Sequence, residues 1–286
     1  LLRSYFLVLG NGFGTFESPQ RSSCSFHKVS HMSIKYDLSG IPASVREQIL
    51  ASPKLVRLFS KFPSKLLGVG NDAKTIKGAK QGFATAILYL TPADGSGVQL
   101  CPMAKTAKCD VACLATAGRG AMSNVQMARL RKTLYFLQYE EQFLAQLHKE
   151  ISRLSAKYGD RLLVRLNGTS DIRWENYGVI QAFPGVQFYD YTKIPNRRDI
   201  PSNYDHTFSY SGVEEFQPIV QKAKFKGMRI AVVFSHQERI PQYFEGMACV
   251  DGDNTDIRHL DPQGVVVALY AKGKAKADDT GFVVHV

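Results

Sequence analysis

The chain is short of the features that usually make a function plain. No apolar run approaches the length of a bilayer span, so no segment reads as a transmembrane helix. Five cysteines at uneven spacing are an odd and poor disulfide framework, and they suit a reducing compartment. No tight C-x2-C knuckle is present, so a closed four-ligand zinc site has little basis. Gly10, Gly12 and Gly14 lack a surrounding βαβ unit, which excludes a dinucleotide fingerprint. Ser, His and Asp all occur, but no nucleophile elbow does. Acidic residues are outnumbered, 25 against 36 basic ones, for a net charge of +11. That balance favours polyanionic partners such as nucleic acid without implying sequence-specific reading. Lys74, Lys77 and Lys80, Arg197 and Arg198, and Lys272, Lys274 and Lys276 are the basic groups able to meet phosphate. The segment DGDNTDIRHLD gathers Asp251, Asp253, Asp256 and Asp261, but it lacks the Gly and Glu of a calcium loop. It reads as a solvated acidic turn.

What is present is enough chain for a substantial core: 286 residues, 44% hydrophobic. Residues 1–31 read as a poorly ordered extension, since an ordinary protein segment opens at Met32. Residues 32–286 read as a single α/β domain. Helices are expected within 42–62, broken at Pro53, and a polar loop over 70–81. Strands are expected at 82–90, 162–166, 186–191, 206–210, 228–234 and 265–270, with helices near 123–158 and 213–226. Alternating strands and helices imply parallel pairing with right-handed crossovers. Six strands are too few for a complete eight-fold barrel, so a partial (βα)6 barrel is the expected architecture, with an open doubly wound sheet as runner-up.

Three of the cysteines, Cys101, Cys109 and Cys113, fall in one loop after the first of these strands, within CPMAKTAKCDVACLATAGRG. Three thiolates in one loop suit a metal centre with an open position. The other expected strand ends are polar too. Asn167, Gly168, Thr169, Ser170 and Asp171 follow the second strand; Asp190 and Lys193 close the third; His206 opens the fourth. In parallel α/β folds ligands bind at the carboxyl ends of strands, so these residues are the candidate site. Trp174 reads as core, and His206 is also readable as a core histidine. Cys24 and Cys249 are expected to lie apart from the site.

Two resemblances bear on function. The stretches CLATAGRG, VRLNGTSDIRWEN, VQFYDYTK, HTFSYS, DGDNTDIRHLDP and GVVVALYAKGKA resemble the phage and plasmid gene product 88 family, over roughly Asn71 to Val286. That resemblance implies a mobile element in a bacterial cytoplasm and carries no mechanism. A three-Cys loop after the first strand of a partial barrel resembles the radical S-adenosylmethionine superfamily. This second likeness implies a 4Fe–4S cluster on Cys101, Cys109 and Cys113, with S-adenosylmethionine on the open iron. It places Asn167 to Asp171 where the cosubstrate's amino group is held, and Asp190, Lys193 and His206 toward an unknown substrate. The spacing here, C-x7-C-x3-C, departs from the usual C-x3-C-x2-C. The competing class is a non-enzymatic binder of nucleic acid or a host protein, with structural zinc or no metal.

Overall fold

The structure, a computed structural model, describes residues 33–70 and 73–286. The expected extension over 1–31 and Cys24 lie outside the described residues. Ser33–Val286 forms one compact unit. Pro53 follows α1 (Ala43–Ala51) and opens α2 (Pro53–Phe59), where its fixed φ and missing N–H do no harm. Ser52 caps that helix, its Oγ accepting from Leu55 N at 3.4 Å. After edge strand β1 (Leu67–Val69) comes α3 (Ala73–Lys80), where the sequence predicted only loop. The reason is packing. Gly78 rests against β2 (Ala84–Leu88), where a Cβ would stand 2.8 Å from Thr85 Oγ1, so its lack of a side chain lets the helix seat.

The helical stretch expected over 123–158 is two helices, α4 (Ser123–Gln138) and α5 (Glu140–Tyr158). Tyr139 breaks them with φ −140° and ψ 52°. Its hydroxyl donates to Lys35 O and its ring packs on Tyr36 and Phe62, and these anchors hold it out of the helix. Then follow β3 (Leu162–Arg165), β4 (Gln187–Thr192), β5 (Tyr204–Ser209), α6 (Gln217–Phe225) and β6 (Ile230–Phe234). β7 (Tyr243–Phe244) and β8 (Met247–Asp251) form a hairpin that the sequence pattern did not announce, and β9 (Val266–Tyr270) closes the set. The hairpin turns through Glu245 and Gly246, both at positive φ as a two-residue turn of this kind requires.

The nine strands form one mixed sheet in the order β1-β2-β3-β4-β5-β6-β9-β8-β7. β2 through β6 and β9 are parallel and neighbours in chain order; β1 and β7 are antiparallel edges. These six are the strands read from the sequence, each within about two residues of its expected span. Sequential parallel order puts all six carboxyl ends on one side.

Side chains alternate across the sheet. Ala86, Leu88, Val164 and Phe188 join Leu134, Phe136, Phe143 and Leu147 of α4 and α5 around Trp174, which is fully buried. Phe208, Ile230, Val232 and Phe234 do the same under Phe216 and Val220 at α6. Each such side chain contributes about 1.5–3 kcal/mol by leaving water. The opposite positions mix apolar side chains such as Ile87 and Leu163 with many polar ones: Thr85, Arg165, Tyr189, Tyr191, Asp205, Thr207 and Arg229. The acidic segment meets these groups and is not the solvated turn expected. Asp256 pairs with Arg165, and Arg229 pairs with Asp205 and donates to the Asp261 carbonyl. Arg258 pairs with Asp261 at 3.0 Å. The carboxylates offset buried guanidinium charge that the sheet otherwise leaves uncompensated.

Candidate functional site

The cysteine loop lies across the carboxyl ends of the strands because several of them grip it. At β3, Asp171 N donates to Leu100 O at 2.9 Å and Gly168 N to Leu88 O at 3.0 Å. Only glycine fits at 168, since a Cβ would lie 2.7 Å from Leu88 O, Ile87 Cγ2 and Tyr89 Cδ1. At β5, the buried Ser211 hydroxyl donates to Ala107 O at 2.9 Å. At β9, Gly273 takes φ +59° against Ala117, where a Cβ would come within 2.8 Å of the alanine methyl. The lysine segment after β9 is thereby packed on the turn that follows Cys113.

Cys101, Cys109 and Cys113 are all free, half-buried and close enough for their charges to couple. Burial pushes the Cys101 thiol up to about 12 and raises the other two. Ala93 N donates to Cys101 Sγ at 3.4 Å and Ala115 N to Cys113 Sγ at 3.5 Å. Cys101 Sγ in turn faces Thr169 O at 3.8 Å. Cys249 lies on β8, near the far edge of the sheet. By residue type alone, soft ligands, amide donors to sulfur and a neighbouring cation suit a centre held by three thiolates. Among the described residues, no group of three His, Cys, Asp or Glu side chains is placed to hold a metal ion, so the structure does not gather Cys101, Cys109 and Cys113 into the ligand set expected.

That cation is Lys193, just past β4. It is buried, and its Nζ donates to Ser209 O and Ser209 Oγ at 3.1 Å and Tyr210 O at 3.3 Å, between the rings of Phe216 and Phe282. Burial lowers its pKa, while Cys109, Asp171 and the other two cysteines raise it. Among the described residues no carboxylate is hydrogen-bonded to the ammonium; the Asp171 carboxylate accepts instead from Lys193 N at 2.8 Å. Arg129, which sequence reading missed, is a second buried cation. It lies over the Tyr89 ring, its charge reaches Cys113, and its Nε has no partner. The signal for it was an arginine four residues before Thr133, at the buried spacing of α4.

The remaining expected site residues divide. Asp171 reaches the cysteines electrostatically but is buried in an ion pair with Arg197. Arg197 also binds Glu175 at 2.8 Å, so it is a structural bridge and not a surface contact for phosphate. Asn167 organises its own turn. Its Oδ1 accepts from Ser170 Oγ and Ile172 N at 2.9 Å and Trp174 Nε1 at 3.2 Å. Thr169 Oγ1 donates to Leu90 O. The free groups of this turn toward the cysteines are therefore on its backbone. Asp190 is buried and accepts from Leu166 N, Asn167 N and Tyr204 Oη, closing the end of β3. Burial, opposed by Arg165, raises it to about 6. His206 stacks near Tyr204 with an unpartnered Nε2, and burial first, then Arg197, drops it to about 3. Lys193 is thus the one candidate of the three at β4 and β5 whose charge meets the cysteines. Of the lysines after β9, Lys272 pairs with Asp253, while Lys274 and Lys276 are exposed.

No helix among the described residues is long and apolar enough to cross a membrane. No curated protein and no solved structure matches the chain. Residues 64–286 match the family described as gene product 88, a span that takes in every strand of the sheet, the cysteine loop and Lys193. The chain belongs to the gene product 88 family of phages and plasmids.

Proposed function

We propose that the protein is an iron–sulfur enzyme of mobile-element origin, working in the host cytoplasm on an unidentified substrate, with its six parallel strands curled as a partial (βα)6 barrel. Cys101, Cys109 and Cys113 would hold the cluster. The observation that carries this reading is Lys193: a buried ammonium bonded to carbonyl and hydroxyl oxygens, its charge reaching the three thiols and Asp171, a carboxylate already paired with Arg197. Burying a cation without an anion is costly. Thiolates on a metal supply that anion. Burial holds the thiols protonated, so metal entry releases their protons, and binding weakens steeply as pH falls. A cluster, when bound and reduced by an external one-electron donor, would supply the electron for reductive cleavage of S-adenosylmethionine. The backbone of Gly168 to Ser170, next to Cys101, is the chain's nearest surface for that cosubstrate. Asp171 and Asn167 act by holding this backbone, not by touching the ligand.

Anaerobic purification with iron, sulfide and zinc analysis tests this directly. The expected result is brown protein that loses iron on Cys109→Ala with its secondary structure kept, and that forms 5′-deoxyadenosine from S-adenosylmethionine. Colourless protein with one tightly held zinc and no cleavage would overturn the reading and favour a non-enzymatic binder.

A further inference from the structure

Helix α6 carries a surface unlike the rest of the molecule. Its inner side is Val220 and Ala223, packed in the core beside Phe216. Phe225 points away from that side, and its ring is 94% exposed, more than any other large apolar side chain described. A lone exposed apolar residue is ordinary; the setting of this one is not. Lys222, one turn earlier, and Lys226, the next residue, are both exposed. Lys226 Nζ donates to Pro195 O at 2.8 Å, which draws the loop after β4 alongside, and exposed Arg198 lies three residues further on. Lys224 is neutralised by Glu245, and Asp199 is the acidic neighbour in that loop. Basic residues in a last turn complement the helix dipole, but a bare phenylalanine there has no such use.

We propose that this face binds single-stranded nucleic acid, with Phe225 as the stacking platform for a base and Lys222, Lys226 and Arg198 as contacts to flanking phosphates. An aromatic face accepts any unstacked base, and lysines are mobile point charges suited to a phosphate chain. Charge favours this occupant. Ion pairs among the described residues engage nine carboxylates with seven cations, which leaves the rest of the chain more basic than its net +11. A membrane surface would ask for an apolar stripe, and α6 exposes no large apolar side chain besides Phe225. The inference rests on α6 and is independent of any metal at the cysteines.

Fluorescence anisotropy of the full chain with labelled oligothymidylate tests it. Phe225→Ala weakens binding about tenfold, the loss of one stacked base. Phe225→Leu, which keeps the apolar bulk and removes the π-face, weakens it as much, and Phe225→Trp restores it. Lys222→Gln with Lys226→Gln lowers the slope of log affinity against log salt by about 0.7 per lysine. Wild-type affinity in Phe225→Leu, equal affinity for duplex, or no binding of oligothymidylate would overturn the proposal. So would Phe225-dependent retention on phosphatidylserine vesicles without oligothymidylate binding.

Discussion

Two buried cations four residues apart are housed in opposite ways. Arg197 lies among carboxylates: its guanidinium is forked between Asp171 and Glu175 and also donates to Ile172 O and Thr192 Oγ1. Lys193 lies among neutral acceptors, aromatic faces and three thiols. A satisfied buried ion pair is a structural element, because its charges cancel within the fold. The Lys193 ammonium is hydrogen-bonded to dipoles, and the carboxylate whose charge reaches it, Asp171, is already taken up by Arg197. The difference separates a region that holds the chain in shape from one that awaits an anion.

The largest effect should come from breaking the first region. Arg197→Met leaves Asp171 and Glu175 buried without their partner, and the cost should be about 3–5 kcal/mol. Urea denaturation of the metal-free protein measures it. Lys193→Met strips partners only from neutral acceptors, so its loss should be smaller, about 1–2 kcal/mol. Its effect should appear instead in the second region, as lost iron on anaerobic reconstitution. Equal losses of stability for the two substitutions, with iron retained in Lys193→Met, would erase the distinction.

The same contrast explains what was legible in the sequence. The six parallel strands were readable because each is a short run of β-forming residues between polar ends, and their parallel pairing followed from the alternation of strands with helices. Lys193 and Asp171 were readable as strand-end residues, since parallel pairing puts all such ends on one side. Their partners were not. Nothing in the pattern says that Arg197 turns inward, because burial of an arginine depends on carboxylates that only the tertiary fold supplies. The segment 251–261 misled for the same reason: its aspartates look solvated until Arg165 and Arg229 are seen beneath it and Arg258, within it, is seen to be buried. Asp190 looked like a reactive carboxylate because its place is right, yet it is occupied by the last amides of β3. The β7–β8 hairpin was illegible because Glu245 at positive φ is a turn residue with no glycine-like signature.

A third buried nitrogen base gives the smallest and sharpest test. His206 solves the burial problem by giving up its charge: it has neither carboxylate nor carbonyl partner at Nε2, and its pKa falls from 6.5 to about 3. The unfolded chain therefore binds a proton below about pH 6.5 that the folded chain refuses, and stability attributable to neutral His206 is lost as pH falls. Asp190 runs the other way. Its folded pKa is raised to about 6, so its contribution is present at low pH and lost as pH rises through that value. Comparing wild type with His206→Phe cancels Asp190, which both proteins keep. Between pH 6 and pH 5 the wild type should lose about 1 kcal/mol relative to the variant, and above pH 7 the difference between them should be flat. Urea midpoints at fixed pH give the comparison. A gap that does not change with pH would mean that His206 takes up its proton equally in the folded and unfolded chains, and burial would then not be disfavouring its charge.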